Sequence, residues 1–313
     1  MNQAAQPRVG LALGSGSARG WSHIGVIRAL ERLGVRPEVV AGTSVGAVVG
    51  AFYAAGRLDA LERWVRSLNR ANVLSMIDVT LRSTGGVMEG RRLSKFYTDH
   101  LGKVCVENLK LDFGAVATRL ERGTEVWLRD GPLDDALRAS TALPGLLPPV
   151  RFGDDWLVDG GLVNPVPVSL CRAMGAEVVV AVNLNGDLVG RHTRGHTAIT
   201  NGWADAEVWL RHLPNGLRER AKTLVGWWDG GGGEDGPAPP GLFEVIAGSL
   251  NIMQDRITRS RMAGDPPDLL IAPRLAHIGL LEFDRAEEAI AIGGRAVERI
   301  SPYLQDLFSS ADG

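Results

Sequence analysis

Apolar positions in this chain follow two rhythms. Short continuous runs at Val9–Leu13, 35–41 and Val178–Val182 predict strands buried on both faces, as in a parallel sheet. Helical spacing takes over at Ile24, Ile27, Leu30 and Leu33, where Gly34 supplies the stop, so the first forty residues read as a βαβ unit. A second helix is small-sided (Gly46, Ala47, Gly50, Ala51, Ala54, Ala55) and suits close packing on a sheet, with Gly56 as its cap. Leu58, Leu61, Trp64, Val65 and Leu68 mark an amphipathic third. Residues 70–90 are irregular and 91–101 helical. Further on, 113–120 with 125–128 and 150–152 with 156–158 read as hairpins, around a short helix at 133–139. A helix through Met174, one at 250–261, a strand at 269–272 and a final helix at 284–307 complete the pattern.

Residues 185–241 break both rhythms. Trp203, Trp209, Trp227 and Trp228 supply half of the eight tryptophans, and Gly230 to Gly233 form a flexible run. This stretch reads as an insertion with a helical segment at 204–225, in a single domain spanning 1–313. The catalytic core is 8–183, and 242–313 adds a C-terminal strand and helices. A tryptophan- and arginine-rich helix also suits a peripheral membrane contact, with a packed satellite core as the alternative.

Composition narrows the function classes. With Lys+Arg 34 against Asp+Glu 36 the net charge is -2, which gives no basic field for nucleic acid. Cys105 and Cys171 form no disulfide framework or metal pattern, and the expected cofactor set is empty. The first eight residues are polar, and no apolar run reaches the roughly 20 residues of a membrane span. A cytoplasmic protein, or one peripheral to the inner face of the membrane, is the expectation. Self-association is left open.

The candidate chemistry begins at Gly42-Thr43-Ser44-Val45-Gly46, which fits G-x-S-x-G: a serine on a sharp strand-to-helix turn. Gly42 and Gly46 allow the close approach such a turn needs. Gly14-Ser15-Gly16-Ser17-Ala18-Arg19-Gly20 follows the first strand. Its spacing is wrong for a dinucleotide fingerprint, and a P-loop lysine is missing. Backbone N–H groups aimed at the neighbouring strand's Ser44 would instead form an oxyanion hole. Asp159 stands at a strand end before Gly160 and Gly161, either as a turn former or as a second reacting group.

In this order, the Gly-rich loop ending in Arg19-Gly20, G-T-S-V-G and D-G-G resemble the patatin-like phospholipases, in particular compact bacterial members related to neuropathy target esterase. His23-Ile24-Gly25-Val26, the 139–149 segment and Asn164-Pro165 add to the resemblance, which covers 8–183 well and 242–300 loosely. It implies a three-layer α/β/α sandwich with a mainly parallel central sheet. It also implies a metal-free Ser–Asp dyad that hydrolyses lipid acyl esters, of phospholipase A or lysophospholipase type. Ser44 then matches the nucleophile, Asp159 its base, and Ser15, Gly16, Ser17 and Arg19 the oxyanion loop. Ser15 and Ser17 stand where the family usually has glycine, so a positive φ at either would be costly. Arg19 either orients the loop or meets a phosphate.

Two other classes stay open. A Ser–His–Asp esterase would draw on His192, His196, His212 or His277, and a scaffold protein would keep the fold without the reaction.

Overall fold

Among the described residues, eight strands form one mixed sheet. The computed structural model describes residues 7–70, 90–187 and 242–309. The strands are β1 (Val9–Leu13), β2 (Val39–Thr43), β3 (Asp112–Arg119), β4 (Thr124–Leu128), β5 (Val150–Phe152), β6 (Asp155–Asp159), β7 (Val178–Val182) and β8 (Leu269–Ile271). Hydrogen-bonded neighbours run β5-β6-β3-β2-β1-β7-β8, with β4 also on β3. From β3 to β8 the pairing is parallel; β4 and β6 are antiparallel to β3, and β5 to β6.

The described helices are α1 (Ser22–Arg32), α2 (Val45–Ala54), α3 (Leu58–Arg66), α4 (Arg91–Leu101), α5 (Leu133–Ser140), α6 (Val168–Ala173), α7 (Leu242–Gly264), α8 (Ala286–Glu298) and α9 (Ser301–Ser309). Strand alternation divides them into two layers. Leu11, Leu13 and Val40 pack on the side of α1, α2 and α8, whereas Ala12, Val39 and Ala41 pack on Val168, Leu170 and Cys171 of α6. The result is the three-layer α/β/α sandwich expected. Glycines let α1 and α8 touch backbone to backbone: a Cβ on Gly25 would lie 1.9 Å from the Ile290 carbonyl oxygen.

Three boundaries differ from the sequence expectation. The second strand starts at Val39 rather than 35, because the Val35 N–H is used by the Leu30 carbonyl at the end of α1 and Pro37 has no donor. The final helix is broken into α8 and α9 just before Pro302, which cannot continue an α-helical ladder. The helix expected at 250–261 runs from Leu242 to Gly264. Asn185, placed in the insertion by composition, is still core, at 1% exposure. Residues 71–89 and 188–241, with the 204–225 helix and the four tryptophans, lie outside the described residues.

One feature of the register positions the site. β4 pairs with Ala115 to Arg119 of β3, and so overlaps both the residues that pair with β2 and those that pair with β6. A strand has two edges, so β2 and β6 share the other one. They arrive from opposite directions. β2 ends with Thr43 opposite Val116, and β6 ends with Asp159 opposite Ala117. The two C-terminal ends therefore meet head to head along β3.

Candidate active site

Ser44 follows Thr43 at that meeting point and joins β2 to α2 with φ 57 and ψ −125. A non-glycine residue in this region is strained by about 1–3 kcal/mol, so its surroundings must hold it. Gly46 does part of this: a Cβ there would stand 2.2 Å from the Leu13 carbonyl oxygen, so α2 starts hard against β1. Gly42 is similar, with a Cβ reaching within 2.4 Å of Ala47 Cα. Neither glycine has a positive φ; among G-T-S-V-G only the serine does. The Ser44 N–H donates to Ser140 Oγ (2.9 Å), and the Thr43 hydroxyl to the Asn164 carbonyl (2.8 Å).

The Ser44 hydroxyl donates to Asp159 Oδ2 at 2.6 Å. The other carboxylate oxygen, Oδ1, accepts the Gly161 N–H at 2.7 Å. The Asp159 N–H donates to the Ala142 carbonyl and its own carbonyl accepts from Thr118 Oγ1, both within the core. Asp159 is 1% exposed, and this burial raises its carboxyl to about 6, against the opposing pull of the Ser44 and Gly161 hydrogen bonds. Gly160 is obligatory by space, since a Cβ would lie 2.2 Å from the Val116 carbonyl oxygen.

The loop after β1 lies at the same sheet edge, because β1 and β2 are parallel and in register from Gly10↔Val39 to Leu13↔Gly42. Its N–H groups are of two kinds. Gly14 donates to Val182, Ser15 to Pro165 (2.9 Å), Ala18 to Leu280 and Arg19 to Gly16. Gly16 caps the 3-10 turn Ser17–Trp21 and Ser17 opens it, and neither N–H has an acceptor among the described residues. Ser15 was expected among the donors of the loop, but its N–H is committed to Pro165. Ser17 has φ 52, the costly conformation anticipated for a serine in place of glycine, and its hydroxyl donates to the Leu280 carbonyl at 2.6 Å.

Arg19 is buried rather than turned to solvent. Its Nε donates to the Gly16 carbonyl (3.1 Å) and its Nη2 to Asn251 Oδ1 (3.1 Å). Burial lowers the guanidinium to about 10, partly offset by Asp187, so it stays charged at neutral pH. His23 is also fully buried, with Nε2 2.8 Å from the Gly14 carbonyl oxygen. Desolvation lowers it to about 4, so it is neutral and donates Nε2–H to that carbonyl.

The other described histidines are engaged elsewhere: His100 with the Phe96 carbonyl, and His277 with Glu288 (2.8 Å). His192, His196 and His212 lie outside the described residues. Among the described residues, no cluster of His, Cys, Asp or Glu could hold a metal, and no helix is long and apolar enough to cross a membrane. Cys105 and Cys171 are free thiols, and burial holds Cys171 protonated, up to about 12.

Sequence reasoning missed several partners. Ser140 sits in the 139–149 segment, which in the sequence only adds to the resemblance, yet it holds the elbow N–H. Asn251 and Gln254 come from α7, far along the chain. The available signal was polar side chains on a helix face that the spacing would bury.

The fold and this geometry define a class. The chain belongs to the patatin-like phospholipase family, whose profile matches residues 11–172. An uncharacterized NTE family protein of Mycobacterium tuberculosis (strain ATCC 25618 / H37Rv) is 35% identical, over 93% of this chain and 90% of its own length. Lysophospholipase NTE1 of Pyricularia oryzae is 29% identical over 91% of this chain, which matches 18% of that protein. Patatin-like phospholipase domain-containing protein 6 of Mus musculus is 35% identical over 56% of this chain and 13% of its own. Among solved structures, VipD from Legionella pneumophila aligns with 95% of this chain and 67% of its own, at TM-score 0.47 and 12% identity.

Proposed function

We propose that this chain is a serine acyl-ester hydrolase of lipids, of the phospholipase A or lysophospholipase type, with Ser44 as nucleophile and Asp159 as base. Family membership and the NTE lysophospholipase relatives support lipid hydrolysis. One observation carries the finer reading: the 2.6 Å hydrogen bond from Ser44 Oγ to a fully buried carboxylate.

An ordinary carboxylate is a poor base for an alcohol at neutral pH. Burial that raises Asp159 to about 6 reduces that mismatch and leaves the group ionised at pH 7. Ser44 Oγ attacks the ester carbonyl carbon while its proton passes to Asp159 Oδ2. The carbonyl oxygen becomes an oxyanion, which accepts hydrogen bonds donated by the Gly16 and Ser17 N–H groups. The intermediate collapses by breaking the bond to the alkoxy leaving group, which takes the proton back from Asp159. Water then attacks the acyl-enzyme, again losing its proton to Asp159, and the fatty acid leaves as Ser44 recovers its hydrogen. Arg19 and His23 both bind loop carbonyls, and so aim the donors without touching substrate.

The test is hydrolysis of a panel of diacyl and lysophospholipids, with product analysis, by wild type and Ser44→Ala. Wild type releases fatty acid, and Ser44→Ala does not. Undiminished turnover by folded Ser44→Ala would remove the nucleophile assignment.

A further inference from the structure

α7 carries polar residues where an amphipathic helix would carry apolar ones. Gln254, Asp255 and Thr258 are 7%, 2% and 2% exposed, and Asn251 lies one turn before them. Burying such groups is unfavourable unless they find partners. Asp255 accepts from Arg259 of the same helix, at 2.8 Å. Asn251 accepts from Arg19, and Gln254 is hydrogen-bonded to two separate segments and packs against a third.

Gln254 Oε1 accepts from Ser15 Oγ (3.0 Å) in the loop after β1 and from Asn185 Nδ2 (2.9 Å) beyond β7. With Oε1 assigned to that side as acceptor for Asn185 Nδ2, Nε2 turns the other way. There it meets the Asp159 turn. The point where a Cβ on Gly161 would sit is 2.5 Å from Gln254 Nε2 and 2.9 Å from Asp159 Oδ1. Thus the N–H end of the amide dipole faces the Gly161 turn that holds the carboxylate, and the oxygen end holds the loop. Ser15 takes part through its hydroxyl, since its N–H goes to Pro165.

We propose that Gln254 is a positioning residue for the Ser44–Asp159 reaction: it locks the oxyanion loop to the Asp159 turn and favours the ionised carboxylate with its amide N–H. This rests on the proposed dyad. Gln254 lies outside the 11–172 stretch matched by the family profile. Among the described residues, no charged side chain competes for the role. The Asp159 shift comes from burial and from its Ser44 and Gly161 hydrogen bonds, Arg19 is directed at Gly16 and Asn251, and Asp255 is paired with Arg259.

Gln254→Met keeps the side-chain length and removes both polar ends; Gln254→Glu keeps the acceptor and replaces the amide N–H with a second carboxylate beside Asp159. Rates on a soluble short-chain ester are taken per site, counted by exhaustive fluorophosphonate labelling, so partial unfolding does not register. Gln254→Met should lose about tenfold in kcat with KM within about twofold. In Gln254→Glu the acid limb of the kcat/KM profile should move up by about one pH unit, because like charges disfavour ionisation. Ser15→Ala should lose about two- to threefold, with little further loss when combined with Gln254→Met, since both remove one contact.

A wild-type kcat in Gln254→Met, with an unmoved acid limb in Gln254→Glu, would overturn the positioning role. If Ser44→Ala, compared per mole of folded protein on the same ester, is inactive, the dyad reading survives that result. If Ser44→Ala retains turnover, both readings fall.

Discussion

Ser44 and Ser17 are the two non-glycine residues, among those described, with positive φ, at 57° and 52°, and they are held in different ways. Around Ser44 the restraint is mostly local backbone packing: Gly42 on Ala47, Gly46 on Leu13, and the start of α2. The hydroxyl is left free to face Asp159. At Ser17 the restraint comes from the far end of the chain, where the Leu280 carbonyl accepts both the Ser17 hydroxyl and the Ala18 N–H. There the hydroxyl is consumed by the scaffold and the backbone N–H has no acceptor among the described residues. One strained serine presents its side chain, the other its backbone. In the proposed mechanism, strain of the same kind thus serves the nucleophile and an oxyanion donor by opposite exposures.

The sharpest way to break the comparison is at the partner of the first serine. Asp159→Asn keeps the shape and the Gly161 contact but cannot accept the Ser44 proton. Turnover should fall by about 10²–10⁴-fold. Stability should move the other way. The folded carboxyl is raised from 3.8 to about 6, so wild type is fully stabilised by this group below pH 3.8 and loses that contribution as pH rises through 6. Asp159→Asn should therefore be more stable than wild type at pH 8, by about 1–3 kcal/mol, and gain little at pH 3.5. Denaturant melts at the two pH values check the sign.

Next comes the local packing. Gly46→Ala puts a methyl group 2.2 Å from the Leu13 carbonyl oxygen, so α2 must shift. A loss of about 1–3 kcal/mol is expected, together with reduced turnover per folded site, measured by chemical denaturation and steady-state rates. The smallest effect belongs to the long-range restraint. Ser17→Ala keeps the strain and loses the Leu280 hydrogen bond, costing about 1 kcal/mol. Ser17→Gly loses the same bond but accepts positive φ without a steric penalty, so it should melt above Ser17→Ala. The reverse order would show that the positive φ carries no steric penalty for glycine to relieve.

The same contrast accounts for what was legible in the sequence. The strand-turn-helix around Ser44 is written within a dozen residues, as are the βαβ unit and the burial of β1, β2 and β7, since uninterrupted apolar runs leave a strand no solvent face. The convergence of Ser44 and Asp159 was legible only as two motifs in order. Their meeting depends on β2 and β6 ending on consecutive residues of β3, a register no local pattern encodes. Gln254, Asn251 and Leu280 were not legible as site residues, because what identifies them is contact across more than two hundred positions. Boundaries moved where a proline or a helix cap took a backbone donor, as at Val35 and Pro302.

The most direct test of the central claim is the rate of covalent labelling by a fluorophosphonate as a function of pH, with the modified residue mapped by mass spectrometry. Because the reagent must be attacked by a hydroxyl that Asp159 deprotonates, the adduct should sit on Ser44. The rate should fall as pH drops through about 6, and labelling of Asp159→Asn should be slower by orders of magnitude across the range. An adduct on another residue, or equal labelling of wild type and Asp159→Asn at pH 7, would contradict the Ser44–Asp159 dyad.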